Sequence, residues 1–434
     1  MNGDHAYPAI FRGIIEECAQ RAMDEDVEGV PDWERFRVIS DELGAFLHIL
    51  ARGTKRRRVV ELSGNSGAGS TIIWLAAALN EFQGDVYASE TNPKRLMKLQ
   101  NILTRASLSP RVAIHDYDPV YAYMEEGSVI APPVVSETES EPVQFDMVVV
   151  SLKDSDWPNR LSFGWDMLCR HGFMVLTDTI QAGESADIKI GEFFDSHPAS
   201  VTGLLIGEGV LVALKLPESV TVDTETDEEE FPVSIALPDE VLTGEQAGKV
   251  LAELEAENRK PGSRFWAIPP VTGRFLWMVL RAMGARNALE IGMSSGYSGI
   301  WLASALKDSS VDTGHEVSLT TIDNDPEKIN LATDSFDRAG VSDIVKILEG
   351  DAIEVIRSLD EKYDFIFLDC DKEYYFELLD VILRKLRRGG ILIADNVISH
   401  ADEMKNYLDA VKNHPNLASI TVPLGSGEEM TMLL

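Results

Sequence analysis

Residues 273–295 read GRFLWMVLRAMGARNALEIGMSS, and residues 44–66 read GAFLHILARGTKRRRVVELSGNS. Each opens on a Gly within an apolar helical pattern, crosses a polar break, and ends a short apolar run on a Glu. Those two acids, Glu290 and Glu61, stand at the same spacing from their glycines. A Gly-containing turn then leads into a second apolar helix pattern, SGIWLASAL or STIIWLAAAL. The correspondence continues in order. VYASETNPKRL pairs with LTTIDNDPEKI, FDMVVVSLKD with YDFIFLDCDK, GFMVLTDTI with GILIADNVI, and LLIGEGVLVALKL with VPLGSGEEMTMLL. Ordered self-similarity over most of both halves is the signature of one α/β unit repeated in tandem.

A chain of 434 residues is long enough for two or three domains, each with its own core. It is 44% hydrophobic and 26% charged, a globular balance, and has no apolar stretch long enough to predict a transmembrane helix. The start, MNGDHAYPAIFRG, lacks the basic flank and apolar segment of a secretory signal. Cys18, Cys169 and Cys370 are few and scattered, which predicts free thiols and a cytoplasmic protein. A formal charge of −33 argues against a polyanionic partner, because nucleic-acid binding requires clustered cations. The one basic run, Lys55 to Arg58, reads as a solvated strand entry. The acidity fits a salty cytoplasm or a need for solubility.

Apolar spacing predicts helices within 1–55, then strand–turn–helix units from Val59 to about Leu216. A Pro/Ser/Glu-rich insert at 125–144 reads as a surface loop. Seven acids without a base between Glu218 and Glu230 mark an interdomain linker, since like charges resist packing. The expected boundaries are therefore 1–217, an acidic linker at 218–242, and 243–434. Thr243 to Gln246 fits a capping box opening the second domain. Apolar strands alternating with helices predict an α/β fold in which each domain carries a mostly parallel, doubly wound sheet.

Ligands of such sheets bind beyond the carboxyl ends of the strands. In the second copy Gly292 and Gly296 supply a tight turn there, Asp323 a carboxylate suited to ribose hydroxyls, and Asp351-Ala352 a rim. The G-x-G-x-x-G spacing of nicotinamide sites is missing. Glu290-x-Gly292-x-x-x-Gly296 with Asp323 and GDA looks instead like a nucleoside pocket for S-adenosylmethionine (SAM). Asp369, Asp395 and Asn396 add three hard oxygens at adjacent strand ends, a set suited to a divalent cation such as Mg²⁺. The alternative is that they only cap helices.

Taken together, NALEIGMSSGYS, TTIDNDPEK, EGDA, DFIFLDCDKEYY, GGILIADNV and VPLGSGE resemble the cation-dependent O-methyltransferases, the group of caffeoyl-CoA and catechol O-methyltransferases. The resemblance covers about 265–434. It implies two Rossmann-like methyltransferase domains in tandem and methyl transfer from SAM to a small hydroxylated, catechol-like acceptor. By similarity Glu290, Gly292, Ser298, Asp323, Ala352 and Asp371 contact SAM, and Asp369, Asp395 and Asn396 hold the metal. Lys372 matches the lysine assigned as base, with a salt bridge to Asp371 or Glu373 as the alternative. His400 is a second candidate base or a surface histidine. After IADNV the chain lacks the longer segment that many members place over the acceptor, which implies a more open pocket. A tRNA hydroxyuridine substrate, known among relatives, is disfavoured by the charge. A non-catalytic SAM-binding scaffold is the third reading, disfavoured by the intact acid and lysine set.

The first copy has lost much of this chemistry. Aligned on Asp146 and Asp364, Ser151 replaces Asp369, Lys153 replaces Asp371, and Asp154 replaces Lys372. Asp395 is read as retained in Asp178, and Asn396 as replaced by Thr179. Glu61, Gly67 and Glu90 remain as pocket features. This half is expected to be catalytically silent and to pack on the other as a pseudo-dimer within one chain, with further oligomerisation open.

Overall fold

The computed structural model describes residues 9–31, 34–63, 69–120, 144–216, 242–260 and 266–434. Two compact units emerge, one from the described residues up to Leu216 and one from Leu242 onward. Gly67, the acidic run at 218–230 and all but the last residue of the 125–144 insert lie outside the described residues.

The first unit holds strands β1 (Arg58–Leu62), β2 (Asp85–Ser89), β3 (Val112–His115), β4 (Phe145–Ser151), β5 (Leu168–Thr177), β6 (Ala199–Leu204) and β7 (Val210–Lys215). The second holds β8 (Asn287–Ile291), β9 (Ser318–Asp323), β10 (Val345–Glu349), β11 (Tyr363–Leu368), β12 (Leu386–Ala394), β13 (Leu417–Val422) and β14 (Glu428–Leu433). The strand orders are β3-β2-β1-β4-β5-β7-β6 and β10-β9-β8-β11-β12-β14-β13, the same topology twice. Each sheet is mixed. The first five strands of a unit run parallel, and the last two add an antiparallel hairpin in which β7 or β14 pairs with its neighbours. Consecutive residues of β8 and β11 are buried, so both faces of each strand are covered, which is why these strands read as unbroken apolar runs.

Two contacts explain residues that the two units share. A side chain on Gly44 would collide with the Trp74 indole, and one on Gly273 with that of Trp301. The paired glycines therefore let one helix lie directly on the tryptophan of the next. Asp146 Oδ2 accepts the N–H groups of Arg57 and Arg58 at 2.7 and 3.0 Å. Asp364 Oδ2 accepts those of Arg286 and Asn287 at 2.9 and 3.2 Å. One carboxylate thus ties the start of the first strand to the fourth in each unit, supporting the alignment anchor.

Two local expectations fail. The helix Glu245–Asn258 begins after Gly244, at φ 87°, so its N-cap position falls on the glycine and not on Thr243. Thr243 thereby falls one position too early. In the basic run Lys55, Arg57 and Arg58 are exposed, but Arg56 is buried over the Phe173 ring. Strand entry there is half packing rather than wholly solvated. No described helix is long and apolar enough to cross a membrane. All three cysteines are free thiols.

Candidate active site

Strand order reverses between β8 and β11, and the expected site residues lie at the carboxyl ends around that crevice. Gly292 follows β8 with φ 96°, and a Cβ there would strike the Asp369 carbonyl. Glycine is what lets the ends of β8 and β11 approach. Gly296, at φ 88°, caps the helix Tyr297–Thr313.

Glu290 is fully buried and accepts hydrogen bonds from Ser298 Oγ and Thr321 Oγ1, each at 2.6 Å. Burial raises its pKa to about 7, against those two hydroxyl donors. It joins β8, β9 and the following helix, and Ser298 spends its hydroxyl on that link. Asp323 is buried at the end of β9. Its Oδ2 accepts the N–H of Met293 (3.2 Å) and Ser294 (3.3 Å), and Oδ1 those of Asn324 (2.9 Å) and Asp325 (3.0 Å). Four backbone donors fix the orientation of this carboxylate. Asp351 caps the helix Ala352–Ser358 through the N–H of Glu354 at 3.0 Å, so here the capping alternative also holds. Asp371 is exposed on the turn after β11.

Asp369, Asp395 and Asn396 come together. Asp395 is buried, and its pKa rises to about 6 through burial and then through the charge of Asp369. Asn396 sits at φ 69°, a left-handed conformation that asparagine tolerates. Lys372 donates to Asp369 Oδ1 and to the Cys370 carbonyl, both at 2.9 Å. Its ion pair is thus with a candidate ligand rather than with Asp371 or Glu373. His400 is partly exposed one turn beyond Asn396, with Nδ1 2.9 Å from Ser399 Oγ. Among the described residues no three His, Cys, Asp or Glu side chains form a metal-holding group. A cation here therefore needs the Asn396 oxygen beside the two carboxylates.

One residue escaped the sequence reading. Glu428 is fully buried at the start of β14, and neither oxygen finds a hydrogen-bond partner of ordinary geometry. Burial, then the neighbouring Asp395, pushes its pKa well above the usual carboxylate range. The available signal was that Glu428 opens a strand at a position where the first unit has Val210.

The first unit requires a correction. Leu62 pairs with Val150, and Ile291 with Leu368. Val150 pairs with Leu176, and Leu368 with Ala394. Leu176 therefore matches Ala394, Thr177 matches Asp395, and Asp178 matches Asn396. The last pair shares the left-handed backbone, at φ 66° and 69°. Matching aspartate to aspartate had displaced the alignment by one residue. Asp178 is met by Ser151 Oγ at 2.8 Å, Thr177 Oγ1 at 2.9 Å and Lys153 Nζ at 3.0 Å. One carboxylate answered by an ammonium stands where the second unit has two carboxylates and an amide.

The O-methyltransferase family profile matches residues 243–420. A catechol O-methyltransferase of Niastella koreensis is 37% identical over 136 residues, which are 30% of this chain and 58% of that protein. A protein of Mycolicibacterium smegmatis described only as an O-methyltransferase is 30% identical over 175 residues, 37% of this chain and 80% of its own length. Among solved structures, an O-methyltransferase of Bacillus cereus in complex with SAH is 25% identical. It covers 44% of this chain and 91% of its own, with a TM-score of 0.38. Through its second unit, the chain belongs to the O-methyltransferase family.

Proposed function

We propose that the second unit transfers a methyl group from SAM to a hydroxyl oxygen of a small acceptor, using a divalent cation held by Asp369, Asp395 and Asn396. The observation that carries this reading is the meeting of Asp369 and Asp395 at adjacent strand ends, close enough for one charge to raise the other's pKa. Three hard oxygens suit a divalent cation, and such a site keeps positions for water or substrate. Asp323, fixed by four backbone N–H groups, suits the ribose of SAM.

A bound divalent cation supplies Lewis acidity that lowers the pKa of an acceptor hydroxyl. Lys372, with Nζ 2.9 Å from Asp369, is the side chain placed to take up the released proton. Gly292 and Asp323 hold the cofactor, and the strand ends hold the acceptor in line with the methyl group. Such positioning is worth about 7–11 kcal/mol of barrier. The Niastella relative's name supports a catechol-like acceptor. The first unit, with the same strand order but Ser151, Thr177 and Asp178 at the ligand positions, is a degenerate tandem copy without catalysis.

The test is to incubate the full chain with SAM and a panel of phenols and catechols, reading S-adenosylhomocysteine with chelator or with Mg²⁺. Mg²⁺-dependent turnover of a catechol supports the assignment. Turnover unchanged by chelator removes the cation from it.

A further inference from the structure

We propose that Glu428, backed by Thr272, is a positioning residue of the cation site, whose carboxyl holds Asp395 in the orientation that presents it to the cation. The inference rests on the reading that Asp369, Asp395 and Asn396 hold a divalent cation.

Glu428 opens β14, and the ladder that pairs Ala394 with Glu429 brings it opposite Asp395. The two carboxyl groups meet there, and Glu428 also meets Thr272 in the first turn of the helix Pro270–Met283. Thr272 lies against the turn between β13 and β14, where a Cβ on Gly425 would come within 2.6 Å of its Oγ1. Neither Glu428 nor Thr272 is exposed to solvent. Glu428 Oε1 and Oε2 and Thr272 Oγ1 all lack a hydrogen bond of ordinary geometry. Buried polar groups left in this way cost folding energy, and a native structure that keeps them needs a reason.

The first unit points to that reason. Its ladder sets Val210 opposite Thr177, at the positions of Glu428 and Asp395. Leu43 precedes Gly44 as Thr272 precedes Gly273, and it lies against the equivalent turn glycine, Gly207. Val210 and Leu43 are both buried. Where Ser151 and Thr177 replace the ligands Asp369 and Asp395, apolar side chains therefore also replace Glu428 and Thr272. The polar pair goes with the ligands. Among the described residues Asp369, Asp395 and Glu428 do not form a metal-holding group of three acids, so Glu428 acts through Asp395 rather than as a ligand. Two carboxyl groups in contact share one proton, which makes Glu428 the donor and Asp395 the acceptor. A ligand held by such an outer partner is already oriented when the cation arrives.

Calorimetric titration of the full chain with Mn²⁺, alongside titration with SAM, tests this. Glu428→Val should weaken Mn²⁺ binding about 10–100-fold, the usual effect of losing an outer partner of a metal ligand. Its SAM affinity, staying within about threefold of the parent, reports that the unit is folded. Glu428→Gln, whose amide still donates to Asp395, should keep Mn²⁺ affinity within about threefold. A purely structural Glu428 would leave Mn²⁺ affinity unchanged in Glu428→Val. That result, or equal losses in the Val and Gln variants, overturns the inference while the cation reading stands. No Mn²⁺ binding by the parent overturns the cation reading as well. Thr272→Val gives an answer even where Glu428→Val does not fold. A loss of Mn²⁺ affinity at unchanged SAM affinity supports the inference there, and parental Mn²⁺ affinity overturns it.

Discussion

Glu428 and Asp395 confront each other at the end of the β12–β14 pair, two buried carboxyl groups where the first unit pairs Val210 with Thr177. Both cannot ionise cheaply in that environment. Burial and mutual repulsion push Glu428 well above the usual range and Asp395 up to about 6. Folding therefore gains little from Glu428 in the metal-free chain. Glu428→Val, which installs the first unit's residue, is expected to stabilise that state by about 1–3 kcal/mol, the usual cost of an unsatisfied buried polar group. Thermal melts in chelator check this. A lower melting temperature in the variant would mean that a proton shared with Asp395 holds the strand ends together.

Stability should depend on pH with an unusual sign. Burial raises Glu290 to about 7 and Glu61 to about 8. Each group then keeps its proton in the folded state after the unfolded chain has released it. Their contribution is complete below about 4.5 and is lost as pH rises through 7 for Glu290 and through 8 for Glu61. For Glu290 alone the loss is on the order of 3 kcal/mol across that window. Glu290→Gln keeps an acceptor for one of the two hydroxyls, presents an N–H donor to the other, and removes the titration. Urea unfolding at pH 5.5 and 8.5 should show a smaller decline for the variant than for the parent. Equal declines would show that Glu290 does not govern the trend.

Metal dependence gives the third expectation. Asp369→Ala or Asn396→Ala should reduce methyl transfer at least a hundredfold and leave SAM affinity within about threefold, since the proposed cation binds the acceptor rather than the cofactor. Asp369→Ala also frees Lys372 from its 2.9 Å ion pair. Turnover and SAM titration on the same preparation separate the two effects. Parallel loss of SAM binding would show that the strand ends act on the cofactor instead.

Much of this was legible in the sequence because of the period of the apolar pattern. β8, β9, β11 and β12 are near-continuous apolar runs, and their ends named Glu290, Asp323, Asp369 and Asp395 without a structure. Gly292 was legible as a turn, although not its reason, which is the Asp369 carbonyl beside it. Tertiary contacts were not legible. Ser298 gives no sequence sign that its hydroxyl belongs to Glu290, and Glu428 none that it meets Asp395 across an antiparallel strand pair. The one-residue error at Asp178 has the same origin. Identity between letters favoured Asp395, whereas ladder register and a shared left-handed φ select Asn396.

The last expectation concerns the first unit's buried ion pair. Arg95 and Glu90 are held by two short hydrogen bonds with almost no solvent contact, so removing one partner strands a charge. Breaking such a pair costs about 3–5 kcal/mol, whereas replacing both partners with apolar groups is often close to neutral. Glu90→Ala or Arg95→Ala should therefore bring forward an unfolding transition of the first unit, and Glu90→Leu with Arg95→Leu should restore most of the loss. A double-mutant cycle from melts of the full chain measures the coupling. A coupling within about 0.5 kcal/mol of zero would mean that water still reaches the pair.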